Sequence, residues 1–158
     1  MVNNFFLLFT AHFDRDRGLD YGRLSINSLD KGTINIWKAA SSYATKQKQY
    51  GESFHERGGM LPPQYRVPKL KNWSVLTKPI PLDLIKGVEG NFYKLSPYEV
   101  TTDRGGVRSD FGIHKDANAP GSLGCIVMSP DRFMNFELAM AYFRKHDIKQ
   151  LPLLVQYS

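Results

Sequence analysis

The stretch 107–128, VRSDFGIHKDANAPGSLGCIVM, contains two strand-like runs on either side of a turn built from small residues. Alternate side chains of an extended chain point to opposite faces, so Gly112 and His114 share one face of the first run. We expect Gly112 to leave open space on that face. The second run carries Cys125, the only cysteine of the chain. Pairing of the two runs is predicted to bring Cys125 beside His114.

Short strands dominate the rest of the chain, and glycine and proline pairs such as Gly58-Gly59 and Pro62-Pro63 separate several of them. The predicted strands are 5–10, 23–27, 33–39, 65–67, 92–95, 107–114, 124–128 and 152–157. The polar segment 40–56 is expected to be a loop or a short surface helix. This pattern predicts a mainly β fold, a sandwich or partly closed barrel, with one principal helix near the carboxyl end.

That helix is predicted to begin directly after the cysteine strand. Ser129 is a good N-cap, Pro130 suits the first helical position, and Asp131 complements the positive end of the helix dipole. Apolar residues then recur at intervals of three and four and form one face: Phe133, Phe136, Met140 and Phe143. We expect this face to pack on the core behind the cysteine strand.

Length and composition fit a single globular domain over 1–158, with 42% apolar and 23% charged residues. A lone cysteine excludes an intrachain disulfide, so folding does not depend on an oxidising compartment. The net charge of +6 is spread along the chain without a block of like charges, which is typical of a solvated surface. Nucleic acid is therefore not predicted as a partner, although a diffuse positive field favours anionic polymers and leaves nucleic-acid binding as a weaker third option.

Cys125 and His114 are the residues that could carry chemistry. A thiol needs a base or a cationic neighbour to ionise near neutral pH, and histidine can take up and return a proton in that range. Gly124 beside the cysteine allows close approach of a substrate and leaves backbone N–H groups that could bind an oxyanion. The alternative is a buried, inert cysteine. No metal site is predicted, because the histidines lack the spacing of metal ligands.

The order His114, variable loop, Ser122-Leu123-Gly124-Cys125 resembles the catalytic segment of the L,D-transpeptidase family of cell-wall enzymes. The segment 58–67, GGMLPPQYRV, is similar to an early turn and strand of that family. The run 108–114, RSDFGIH, followed by Asp116, is closer to a branch of small phage proteins and secreted bacterial effectors. The resemblance covers about residues 58–128.

This resemblance implies an L,D-transpeptidase-type fold and cysteine-dependent acyl transfer on peptidoglycan stem peptides. Cys125 would be the nucleophile and His114 the general base and acid. Ser122 and Gly124 would orient the nucleophile or support the oxyanion. The acceptor could be an amine or water, so transpeptidase, carboxypeptidase and endopeptidase activities all stay open. No metal or organic cofactor is implied.

Substrate binding is assigned to Arg108 and Asp116. Many family members carry an arginine two residues after the cysteine, and here that position is Val127. Arg108 is the predicted partner of a substrate carboxylate, since alternation places it on the face of His114; a surface cation is the other reading. Asp116 could orient the loop or His114, or cap a turn. The alternative function is a non-catalytic wall-binding or structural protein of phage type.

The amino-terminal segment 1–9 lacks a basic region, and its apolar run is too short for a signal peptide or a membrane span. We therefore expect no signal peptide and no membrane span. The protein would be made in the cytoplasm and reach a cell wall after lysis or through a secretion or injection machine. The sequence makes no prediction of the oligomeric state.

Overall fold

The computed structural model describes residues 4–13, 19–47, 52–117 and 121–158. Its strands are β1 (Phe5–Ala11), β2 (Gly22–Ser28), β3 (Gly32–Ser41), β4 (Trp73–Leu76), β5 (Ile80–Leu82), β6 (Gly90–Ser96), β7 (Glu99–Thr101), β8 (Val107–Ser109), β9 (Gly112–Lys115), β10 (Ile126–Met128) and β11 (Gln150–Tyr157). Its α-helices are α1 (Ala44–Gln47) and α2 (Pro130–Lys145). The predicted fold class, mainly β with one principal helix near the carboxyl end, is confirmed.

Nine strands form one sheet in the order β4-β11-β1-β2-β3-β10-β9-β6-β5, and β7 pairs with β8 in a separate hairpin. A further pairing of β4 with β6 makes the large sheet partly ring-like rather than a closed barrel. Strands β9 and β10 are parallel neighbours near the middle of this order, and each pairs with a further strand on its other side. His114 lies on β9, and Cys125 directly precedes β10.

Helix α2 begins and packs as predicted. The Ser129 side chain accepts a hydrogen bond from the Arg132 backbone N–H, and Pro130 is the first helical residue. The four apolar residues of the predicted face, Phe133, Phe136, Met140 and Phe143, are all buried in the core. Phe136 meets Tyr93 of β6 edge to face with ring centroids 5.3 Å apart. The helix thus supports the sheet from the core side.

Three features of the backbone differ from the prediction. Residues 65–67 were expected to be a strand, but Gln64–Arg66 is a 3-10 turn that follows Pro63. Strands β4, β5 and β7 were not predicted, because three or four residues are too few for alternation to be recognised in the sequence. The third difference, at Asp110, affects the site directly.

The predicted strand 107–114 is broken into β8 and β9 at Asp110, whose φ is +64°. This left-handed conformation is uncommon for residues other than glycine, and aspartate is among those that tolerate it. The break interrupts the alternation of side chains, so Arg108 and His114 do not share a continuous strand face. In the described part of the chain, no helix has the length and apolar character needed to cross a membrane.

Candidate active site around Cys125 and His114

The parallel pairing of β9 and β10 brings the two predicted reactive residues together. Ile126 lies opposite Ile113, and Val127 lies opposite His114. Extending this register back by one residue places Cys125 beside Gly112. Side chains two positions apart share a face, so Cys125 and His114 lie on the same face of adjacent strands, one diagonal step apart. The predicted pairing of the two runs is confirmed, although Cys125 sits opposite Gly112 rather than opposite His114.

His114 is positioned as a neutral base. Its side chain is buried, and Nδ1 lies 2.8 Å from the backbone carbonyl oxygen of Lys115. A carbonyl can only accept, so Nδ1 carries the proton of the neutral ring and Nε2 keeps the lone pair. Burial lowers the pKa of His114, against smaller opposing effects of the Lys115 carbonyl and Asp116. The imidazole is therefore ready to accept a proton at Nε2.

Phe92 fills the space that was expected to be open at Gly112. A Cβ added to Gly112 would lie 2.2 Å from Cζ of the Phe92 ring, so the expectation of an empty gap is wrong. The same ring stacks on His114, with centroids 5.9 Å apart and planes 28° apart. Phe92 is a site residue that the sequence reasoning missed, because alternation does not reveal which strand lies across from β9.

The Cys125 thiol is held in its protonated form. Its S–H donates to the backbone carbonyl of Asp110 over 3.7 Å. Burial raises the pKa of Cys125 to about 11, while a hydrogen bond from the Gly112 N–H and the charge of Arg108 act in the opposite direction. Desolvation is therefore the larger effect on the pKa of Cys125, and it opposes ionisation of the thiol.

Alkylation of the native protein by iodoacetamide should therefore be slow. With a pKa near 11, the thiolate fraction at pH 8 falls roughly a hundredfold below that of an ordinary cysteine. The measurement is the labelling rate against pH, with the same protein unfolded in urea as control. A plateau reached at or below pH 8 in the native protein would contradict this prediction.

Ser122 holds the turn that presents the cysteine. Its hydroxyl donates to the Cys125 carbonyl over 2.5 Å and accepts from the backbone N–H groups of Gly124 and Ser42, each at 3.3 Å. Gly124 has a φ of +111°, and an added Cβ there would lie 2.7 Å from the Gly59 carbonyl oxygen. The Gly124 N–H is thus bound within the turn. The oxyanion role of Gly124 and Ser122 stays a prediction.

Replacing Ser122 with alanine should loosen this turn. The change leaves buried backbone groups at Ser42, Gly124 and Cys125 without a partner, which should cost about 1–3 kcal/mol of unfolding free energy. Urea denaturation measures the loss. Leu123→Ala is the matched control in the same turn, since this side chain is 63% exposed and its removal should change stability by less than about 0.5 kcal/mol. Equal stabilities of the two variants would contradict the role given to Ser122.

Arg108 lies inside the protein, with 4% of its surface exposed, so it is not a surface cation. Its Nη1 donates to the carbonyl oxygens of Phe54 at 2.6 Å and Met60 at 3.1 Å, and its Nη2 donates to that of Gly59 at 2.8 Å. Burial lowers the pKa of Arg108 to about 10, so the group stays charged near neutral pH. Its donors are directed at the protein's own backbone. Carboxylate binding by Arg108 stays an untested prediction.

Asp116 caps the loop between the histidine and the cysteine. Its Oδ2 accepts a hydrogen bond from the Gly121 N–H at 2.9 Å. Burial raises the pKa of Asp116, and this hydrogen bond and His114 act against that shift. Of the readings left open, capping of the loop is the one that this hydrogen bond shows. The assignment of Asp116 to substrate binding stays a prediction. Residues 118–120 of the loop lie outside the described part.

Across the described ranges, no group of three or more histidine, cysteine or acidic residues is arranged to hold a metal ion. Comparisons with protein-family models, with curated proteins and with solved structures find no match for this chain. The geometry around Cys125 and His114 and the resemblance of the short motifs are the features of this chain that bear on its function.

Proposed function

We propose that this chain is a cysteine-dependent acyltransferase or peptidase that acts on peptidoglycan stem peptides. The observation that carries the proposal is the placement of Cys125 and His114 on one face of two adjacent parallel strands, with Nε2 of His114 as the proton acceptor. The substrate class comes from the resemblance of residues 58–67 and 108–125 to the L,D-transpeptidases.

In the proposed reaction, Nε2 of His114 takes the thiol proton as the Cys125 sulfur attacks the amide carbonyl of the stem peptide. The S–C bond forms, and the C–N bond breaks once the imidazolium returns a proton to the leaving amine. The thioester then passes its acyl group to an amine or to water, and the thiol is regenerated. The Gly112 N–H and Arg108 favour negative charge on the sulfur during attack.

The resting arrangement requires a rearrangement before this step. The thiol is bonded to the Asp110 carbonyl, and the Phe92 ring packs over Gly112, which lies opposite Cys125 and two residues before His114 on β9. Catalytic hydrogen bonds of unliganded enzymes are often long and tighten only with substrate bound. We infer that the substrate moves the Phe92 ring and turns the thiol towards His114.

A second candidate is a non-catalytic wall-binding protein with the same fold. The raised pKa of Cys125 and the direction of its S–H towards a backbone carbonyl favour this candidate, because both stabilise the unreactive thiol. Under this proposal, binding to the cell wall would not require ionisation of Cys125.

Incubation of the purified protein with sacculi separates the two candidates. The enzyme proposal expects new stem-peptide products by mass spectrometry and a transient acyl adduct on Cys125 in the intact protein mass. Unchanged sacculi that retain the protein during sedimentation would support the binding module instead. Unchanged sacculi without retention would contradict both.

A further inference from the structure

Lys94 lies on the same face of the sheet as the two candidate reactive residues. Strand β6 pairs with β9 so that Lys94 is opposite Gly112, and directly paired residues of antiparallel strands point their side chains to the same face. Gly112 itself lies beside Cys125 in the extended register of β10. Because neighbouring strands are about 4.8 Å apart, the backbones of Lys94 and Cys125 are separated by roughly 10 Å across β9.

The ammonium group of Lys94 is held in place without being neutralised. Its Nζ lies 5.1 Å from the ring centroid of Tyr98, a cation–π contact that orients the side chain. The Tyr98 hydroxyl is in turn bonded to the Asp110 carboxylate, which raises the pKa of Tyr98. Within the described ranges, Lys94 makes no hydrogen bond or ion pair, so its N–H donors are available.

Two other cations are already paired. Arg108 donates to three backbone carbonyls, and Lys46 forms an ion pair with Glu56 at 2.7 Å. Val127, which follows the cysteine on β10, supplies no charge and is fully buried. Lys94 thus combines the face of the thiol, a strand two places away from it, and unused donors.

The geometry points to Lys94, held over Tyr98, as the specificity-determining residue that binds a carboxylate of the acyl donor. This inference rests on the proposed function of the Cys125 site. One lysine side chain and one substrate residue are together long enough to span the distance between Lys94 on β6 and Cys125. A carboxylate on the residue whose carbonyl is attacked would meet the ammonium, and the Tyr98 ring would keep that ammonium in place.

Two alkylating agents test the charge near the thiol without any assumption about peptidoglycan. Iodoacetate and iodoacetamide both form an S–C bond with the Cys125 thiolate and release iodide, but only iodoacetate carries a carboxylate. Lys94→Met should lower the ratio of the iodoacetate rate to the iodoacetamide rate by roughly threefold or more, since one attracting charge is lost. The rates are measured at one pH and at low ionic strength.

Lys38→Met is the matched control. Lys38 also lies over an aromatic ring, with Nζ 4.4 Å from the centroid of Tyr21, and on the same face of the sheet, but it lies four residues along β3 from the position level with Cys125. Its replacement should leave the rate ratio unchanged. An unchanged ratio in Lys94→Met, or an equal fall in both variants, would overturn the assignment.

Stem peptides whose side-chain carboxylate is free or amidated extend the test to the substrate. The wild-type protein should prefer the free carboxylate by about tenfold or more in kcat/KM, mainly through KM, and Lys94→Met should lose that preference. Equal turnover of both peptides by the wild type would refute the carboxylate role of Lys94. Turnover of neither peptide would instead refute the proposed function, while the alkylation ratio would still decide whether Lys94 attracts a carboxylate to this site.

Discussion

Cys125→Ala should abolish the conversion of sacculi, with a loss of at least about a thousandfold, because the acyl group then has no nucleophile to accept it. The variant should still fold, since removal of one small partly buried sulfur costs about 1 kcal/mol or less. Product analysis by mass and the urea unfolding midpoint measure the two effects. Full activity in Cys125→Ala would rule out the thioester mechanism and direct attention to Ser122.

His114→Ala should lower activity by a similar factor, and the double variant should be no worse than either single one. Residues that act in one catalytic unit are not additive, because each step needs both. His12→Ala is the matched control: His12 is exposed at the end of β1 and contacts Ser158, so its loss should leave activity unchanged. Independent, multiplying losses at Cys125 and His114 would contradict their joint role.

Arg108→Met should reduce the free energy of unfolding by roughly 3–5 kcal/mol, because three buried carbonyl groups lose their hydrogen bonds to a charged donor, at about 1–3 kcal/mol each. The change leaves the carbonyls of Phe54, Gly59 and Met60 without their donors. It also removes the charge that opposes the rise in the pKa of Cys125, so iodoacetamide labelling of the folded variant should slow further. Urea denaturation and labelling measure the two effects.

Two variants control the Arg108 prediction. Arg108→Lys keeps the charge but loses the planar fork. Compared with Arg108→Met, it should recover more of the labelling rate than of the free energy of unfolding. Arg132→Met removes an exposed arginine bonded to Ser129, and it should change stability by less than about 0.5 kcal/mol. A wild-type unfolding midpoint in Arg108→Met, with KM alone raised, would instead restore the substrate-binding role expected from the sequence.

The parts of the fold that depend on local sequence were predictable. The N-cap Ser129, the following Pro130 and the regular spacing of the apolar face define helix α2, because capping and helical periodicity act within a few residues. The adjacency of the histidine and cysteine strands was predictable as well, since the two runs are close in the sequence, but their parallel orientation was not predicted.

Short or irregular elements were not predicted from the sequence. Strand β4 is stabilised by pairing with β11 and β6, which are distant in the sequence, rather than by its own four residues. The 3-10 turn Gln64–Arg66 follows two prolines, and the structure places Tyr65 with 58% of its surface exposed rather than in a strand. In both cases tertiary context outweighs the weak preference of the segment.

The sequence by itself determined the mainly β character, the principal helix and the presence of one cysteine and one histidine on the same face of neighbouring strands. Only the tertiary structure decided what surrounds them: Phe92 over Gly112, Arg108 bound to backbone carbonyls, and Lys94 on the face of the thiol. Alternation shows which face a side chain takes, but not which strand lies across from it, and one left-handed residue at Asp110 interrupts even that rule. The neighbours of the thiol, and with them its pKa, come from long-range pairing.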